Sequence, residues 1–197
     1  MKRITTKRVL LLGLAGLFLP GLSSAQEFNY DYVEGGITLY PSVGSQDYIG
    51  PEFRASYGIT DEWFAFGGLQ LLSDDVDLTT WHVGAGYRIP IDADTEAWVG
   101  PTLEYQEWEV SFTNPFTGDT TTSGVDDTAI GVRGGVRTRI SDELQLAGEA
   151  RLVTGDFDYF GLNGKALFAL TPDLDAYGML DLYDGELGFG GGVRFNF

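Results

Sequence analysis

The chain contains no cysteine, and only one of its 197 residues is histidine. A disulfide framework and a Cys/His metal cluster are therefore both excluded. Basic residues are scarce: 12 Lys and Arg stand against 29 Asp and Glu, for a net charge of −17. So acidic a chain has no basic surface to neutralise phosphate, which argues against nucleic acid as a partner. Also missing is an apolar run of the roughly 20 residues a membrane helix needs. The run from Val9 to Leu19 has eleven. A membrane crossing, if there is one, must be made by strands.

That short run follows a basic head, Lys2, Arg3, Lys7 and Arg8, and is broken by Pro20-Gly21 before Ser23-Ser24-Ala25. Basic head, short apolar core and small residues at the cleavage position predict a secretory signal peptide over 1–25, cut after Ala25. No cysteine stands there to carry a lipid anchor. The remaining 172 residues, 26–197, are enough for one domain. Four of the 12 basic residues and none of the 29 acidic ones leave with the signal, so the mature charge is −21.

Turn signals cut the mature chain into short alternating pieces. Four tight turns resemble one another: Thr60-Asp61-Glu62, Asp92-Ala93-Asp94, Ser141-Asp142-Glu143 and Thr171-Pro172-Asp173. Between them lie connections of variable length at 42–48, 73–77, 112–125, 155–158 and 184–186. Four turns and five loops predict ten antiparallel strands in an up-and-down meander; eight would require one hairpin to be loop. Tight turns at one end and longer loops at the other are the layout of a transmembrane β-barrel.

Side chains alternate between the two faces of a strand. In the last segment Leu187, Phe189, Val193, Phe195 and Phe197 share one face, and Arg194 and Asn196 the other. Every basic residue of the mature chain falls on a polar face: Arg54, Arg88, Arg133, Arg137, Arg139, Arg151, Lys165 and Arg194. Glu34, Glu52, Glu104, Glu149, Asp175 and Asp181 lie there too. Near balance of sign in so acidic a chain suits a narrow lumen, where charges must pair to survive desolvation. A soluble ligand-carrying barrel would instead turn its charges outward and share the general acid excess.

Aromatic residues gather at strand ends, as membrane interfaces favour. The expected turn-side girdle is Tyr30, Trp63, Phe64, Tyr87, Trp98, Phe168, Tyr177, Phe195 and Phe197. The loop-side girdle is Tyr40, Tyr48, Trp81, Trp108, Phe112, Phe157, Tyr159 and Tyr183. Inward glycines, Gly84, Gly86, Gly135, Gly188, Gly190 and Gly192, are expected to make room for long Arg and Glu side chains.

The alternating end of the chain, Val193, Phe195 and Phe197, resembles the C-terminal assembly signal of bacterial outer-membrane proteins. The stretch Asn29-Tyr30-Asp31-Tyr32-Val33-Glu34-Gly35-Gly36 is similar to the first strand of small proteobacterial outer-membrane barrels, of the OmpA-like or opacity-like class. The resemblance implies residence in the outer membrane after export through the periplasm, and insertion by the barrel-assembly machinery. Outer-membrane lipid and lipopolysaccharide are then the expected surroundings, with both termini periplasmic and the chain a monomer.

Chemistry finds little support. His82 is followed by Val83-Gly84, not the His-x-Ser that outer-membrane lipid deacylases resemble. Asp75-Val76-Asp77 supplies an Asp-x-Asp, but the Asp-x-His of ten-stranded outer-membrane proteases has no counterpart. The expectation is a lumen histidine in a polar network, with no catalysis and no cofactor. Acidic loop residues, among them Asp74, Asp75, Asp77, Asp126 and Asp127, could gather as a cation rim. They lack EF-hand spacing, and the tight turns are equally acidic, so a solvated surface is expected and no metal. The resulting expectation is a non-enzymatic barrel with a side-chain-filled lumen and a structural or surface-interaction role. A narrow pore for ions or small solutes is the alternative, an outer-membrane enzyme the third and a soluble carrier the fourth.

Overall fold

The computed structural model describes residues 28–43, 46–74, 76–113 and 116–197, and these form ten antiparallel strands. In order they are β1 (Tyr32–Val43), β2 (Gln46–Gly58), β3 (Trp63–Leu72), β4 (Asp77–Pro90) and β5 (Thr95–Thr113). The second half comprises β6 (Thr120–Arg139), β7 (Leu144–Gly155), β8 (Tyr159–Thr171), β9 (Leu174–Tyr183) and β10 (Glu186–Asn196). Each strand pairs with its neighbours in sequence, and β1 pairs with β10 from Tyr32↔Asn196 to Leu39↔Phe189, which closes the barrel. The strand number is thus ten and not eight. The expected signal peptide lies outside the described residues.

Side chains at the first turn positions fold the tight turns. Thr60 Oγ1 accepts the amides of Glu62 and Trp63 at 3.2 and 3.0 Å, and Ser141 Oγ those of Glu143 and Leu144 at 3.3 and 3.2 Å. Asp92 Oδ1 accepts the Asp94 amide at 2.9 Å. These local bonds are why Ser, Thr and Asp punctuate strands. At the opposite end Asp184 and Gly185 take φ of 46° and 94°, the two-residue turn whose twist matches a hairpin.

One expected loop is mostly strand. Within 112–125, β5 continues to Thr113 and β6 starts at Thr120, in register from Val110↔Ser123 to Thr113↔Thr120. β4 leaves β5 at Asp77↔Glu109, and β7 leaves β6 at Ala129↔Gly155. Beyond those points β5 and β6 continue as a two-stranded ribbon. Its run of Thr120, Thr121 and Thr122 is β-branched, which a strand accommodates better than a loop.

The faces sort as in a barrel that meets lipid. Ile37, Tyr57, Ile130, Leu152 and Phe168, from five different strands, are each more than half exposed, whereas Glu34, Glu52, Glu104, Arg133 and Asp181 are buried. Apolar surface around the whole circumference far exceeds the few hundred Å² a soluble monomer shows in one patch. A soluble carrier would need the reverse arrangement. From Ile91 to Trp81 the outward face of β4 and its turn advances ten residues. At ~3.4 Å per residue and a ~40° tilt that is about 26 Å, the height of an outer-membrane apolar band.

The aromatic girdles are thinner than expected. Trp63 and Tyr87, 5.1 Å apart, face outward at the turn end, as do Phe168, Phe195 and Phe197. Trp81 stacks on Tyr105 at 5.3 Å at the loop end. Tyr30, Phe64, Trp98 and Tyr177, and Tyr40, Tyr48, Trp108, Phe157, Tyr159 and Tyr183, belong to lumen clusters or line lumen cavities. Strand parity decides this: Tyr40 is in phase with Glu34 and Thr38, and Trp98 with Glu104. The Phe112 side chain lies outside what the structure describes.

Candidate functional site

The interior is a stack of ion-paired layers between two aromatic ends. In the layer toward the turn end, Glu34 of β1 receives Lys165 Nζ from β8 at 2.5 Å and Arg194 Nη2 from β10 at 2.6 Å. Arg194 also covers the Tyr32 ring at 3.9 Å, and Lys165 the Tyr177 ring at 4.5 Å. Asp175 accepts Asn196 Nδ2 at 3.0 Å.

In the middle, Arg133 grips Glu104 with Nε and Nη2, both at 2.9 Å, and reaches Glu149 with Nη1 at 3.0 Å. The bidentate fork fixes the guanidinium in one plane. Glu52 pairs with Arg54 at 3.0 Å and accepts Thr38 Oγ1 at 3.3 Å. Asp181 collects Arg151 Nη2 and Tyr40 Oη, each at 2.5 Å, and Asn163 Nδ2 at 2.9 Å. Three strands other than its own thus converge on one carboxylate.

At the turn end, Arg88 pairs with Glu96 at 3.0 Å, and Tyr30 Oη donates to the same carboxylate. Arg137 lies 3.7 Å over the Tyr30 ring and donates to the Asn29 carbonyl at 3.2 Å. Arg139 meets the exposed Asp94 at 3.7 Å and lies 5.0 Å from the Phe28 ring. Phe28 and Tyr30 therefore enter the barrel from the N-terminal side. They pack with Phe64, Phe66 and Trp98, Tyr30 lying 4.1 Å from Phe64.

All fourteen charged residues expected on the polar face have inward parity, and Arg139 reaches out to the turn. Glu96 was missing from that set. It adjoins the acidic turn 92–94, yet shares the parity of Glu104, and that phase was the signal that could have found it. Some of the inward glycines accommodate rings, since a Cβ on Gly86 would collide with Phe64, one on Gly135 with Trp98 and one on Gly188 with Tyr40, whereas one on Gly190 would meet Met179 and one on Gly192 the β1 backbone. A charged side chain needs the same room at Gly161, where a Cβ would collide with Arg151.

His82 points inward, against Gly68 and 6.1 Å from the Phe66 ring. Among the described residues no hydrogen bond orients its imidazole, so the expected polar network does not form around it. Of the acidic rim residues, Asp75 lies outside the described residues, and Asp74 accepts the Asp47 amide at 3.0 Å. Asp77 and Asp126 lie on β4 and β6, in register with Glu109 and Glu107 of β5. Among the described residues no three His, Asp or Glu side chains converge on a metal position.

Three of the cavities among the described residues lie along the lumen. One of about 40 Å³ and one of about 70 Å³ are in the charged zone, and both touch Arg54 and His82. The third, about 270 Å³, opens at the loop end among Tyr40, Tyr48, Leu72, Leu78, Trp108 and Tyr183.

No protein family matches the sequence, and no curated protein is significantly similar to it. Solved structures do resemble it. The KdgM porin in complex with disordered oligogalacturonate superposes with a TM-score of 0.50 at 12% identity, over 84% of this chain and 99% of that one. Neisserial surface protein A gives 0.45 at 15% identity, over 84% and 96%. Ail, the attachment invasion locus protein of Yersinia pestis, gives 0.43 at 11%, over 83% and 95%. The closed ten-strand meander with apolar exterior and charged interior has the fold of the small outer-membrane β-barrels.

Proposed function

We propose that the protein resides in the bacterial outer membrane as a monomeric, non-enzymatic barrel with a closed lumen, serving a structural or surface-interaction role. Its tight turns and termini face the periplasm, its loops face outward, and lipid and lipopolysaccharide surround its apolar band. The barrel-assembly machinery would read Val193, Phe195 and Phe197. The observation that carries this reading is the pairing of lumen charges across the barrel, capped by the ring cluster around Tyr30 and Phe64. A conducting path needs a continuous column of mobile water, whereas a side-chain-filled barrel of this size is a packed core.

A narrow pore for ions or small solutes is the second reading, favoured by the two small cavities that both touch Arg54 and His82. Passage of an acidic saccharide, such as the oligogalacturonate in complex with the KdgM porin, fits less well. The cations it would need are largely held by lumen carboxylates. Planar-bilayer recording separates the two readings. The closed barrel gives no discrete openings; openings that change on Arg137→Ala would replace it with the pore. Fractionation with outer membranes and heat-modifiable gel mobility test the location, and recovery as a soluble periplasmic species would refute it.

A further inference from the structure

The cavity at the loop end differs in chemistry from the rest of the lumen. Tyr40, Tyr48, Leu72 and Leu78 are buried around it, and Trp108 and Tyr183 complete the wall. Two of the phenols are turned away from the space they enclose. Tyr40 Oη donates to Asp181 and Tyr183 Oη to Gln106, both at 2.5 Å, so hydrogen bonds below the cavity hold these rings as walls. Trp108 meets Tyr48 edge to face, with ring centroids 6.1 Å apart and planes at 82°. The result is a preformed cup.

About 270 Å³ is the liquid volume of about nine waters and well above the ~150 Å³ apolar cavity that takes up benzene. Water in such a cup is poorly partnered, since Gln70 and Thr80 are its main neutral polar lining. The charges at the cup are of one sign. Asp184 on the β9–β10 turn and Glu186 at the start of β10 stand at its edge, and no Lys, Arg or His is among its described lining residues. Arg151, below it, is bound to Asp181 and lies 5.7 Å from the Tyr183 ring.

Aromatic walls with carboxylates at the edge attract a cation through ring quadrupoles and through the local negative field, and both repel an anion. We infer that this cup is a binding site for a small organic cation, an ammonium group carried on an apolar body. The site does not depend on whether the lumen conducts, because its floor is the Tyr40–Asp181–Arg151 layer. Rigid walls reduce the ordering cost of binding.

The experiment is calorimetric titration of the full mature protein in lipid nanodiscs, with protein-free nanodiscs subtracted, using benzyltrimethylammonium, benzyl alcohol and phenylacetate. Saturable binding of the cation is expected, with phenylacetate weaker by about tenfold or more and benzyl alcohol between them. Trp108→Ala should abolish saturation, and Trp108→Phe should retain part of it. The pair Asp184→Asn and Glu186→Gln should weaken the cation about tenfold at low salt and much less at high salt. Heat-modifiable mobility verifies that each variant is folded. Phenylacetate binding as tightly as the cation would overturn the charge assignment. Equal cation binding by folded Trp108→Ala, or no saturable binding at all, would overturn the site.

Discussion

Lys165 on β8 bonds to Glu34 on β1, Nζ to Oε2 at 2.5 Å, across a wall in which β9 and β10 separate the two strands. Arg194 on β10 reaches the same carboxylate, so one anion ties three strands at the seam where the barrel closes. Glu34→Gln should be more destabilising than Lys165→Met, because it leaves two buried cations without their counter-charge. Breaking such a buried pair costs about 3–5 kcal/mol. Urea unfolding in lipid vesicles measures it, and the double variant should lose less than the sum of the two singles. Additive losses would mean that the pair is not coupled.

The turn-end seal depends on a tyrosine near the N-terminal edge of the described chain. Tyr30 touches Phe64, Glu96, Arg88 and Arg137 at once. Tyr30→Ala should cost about 3–5 kcal/mol as a large buried ring is removed, and water should enter around Glu96. Faster amide exchange at the turn ends of β3 and β5, relative to Tyr30→Phe, would report that opening.

The lipid face predicts a sharp contrast in tolerance. Val132 on β6 points outward near mid-height, whereas Thr121 belongs to the ribbon beyond the rim. Val132→Arg should destabilise by about 2–4 kcal/mol, the cost of an arginine near the bilayer midplane. Thr121→Arg should stay within about 0.5 kcal/mol. Equilibrium unfolding of both variants checks the placement of the band.

The β5–β6 ribbon has no third strand, so it should exchange its amides orders of magnitude faster than the same strands below Glu109. Replacing Val110–Ser123 by a short turn should leave heat-modifiable mobility unchanged. Loss of the folded form would show that the ribbon supports the barrel.

Phe195 and Phe197 both face outward and are about half exposed or more. If the assembly machinery reads them, Phe195→Ala with Phe197→Ala should lower outer-membrane levels several-fold. Stability after refolding in vesicles should fall far less. Parallel losses in both assays would assign these rings to stability alone.

Local rules made most of the fold legible. Thr60, Asp92 and Ser141 announce turns because their side chains bond to the next amides, and the two-residue period assigns Arg133, Lys165 and Arg194 to one face. The same period, carried through Tyr40, Phe64 and Trp98, would have put those rings in the lumen. Proximity to strand ends misdirected them to the lipid interface. Glu96 was hidden by the acidic turn beside it, and the β5–β6 ribbon by a polar composition that reads as loop.

The order of residues alone sets the strands, their succession and the face each side chain takes, because turn chemistry and alternation act over a few positions. Closure decided the rest. Only when β10 pairs with β1 do Lys165 and Glu34 become partners, and only across that radius do Tyr40, Trp108 and Tyr183 enclose a cup. Which charge meets which, and where space remains, depends on distances across the lumen between residues more than a hundred positions apart, which no local pattern encodes.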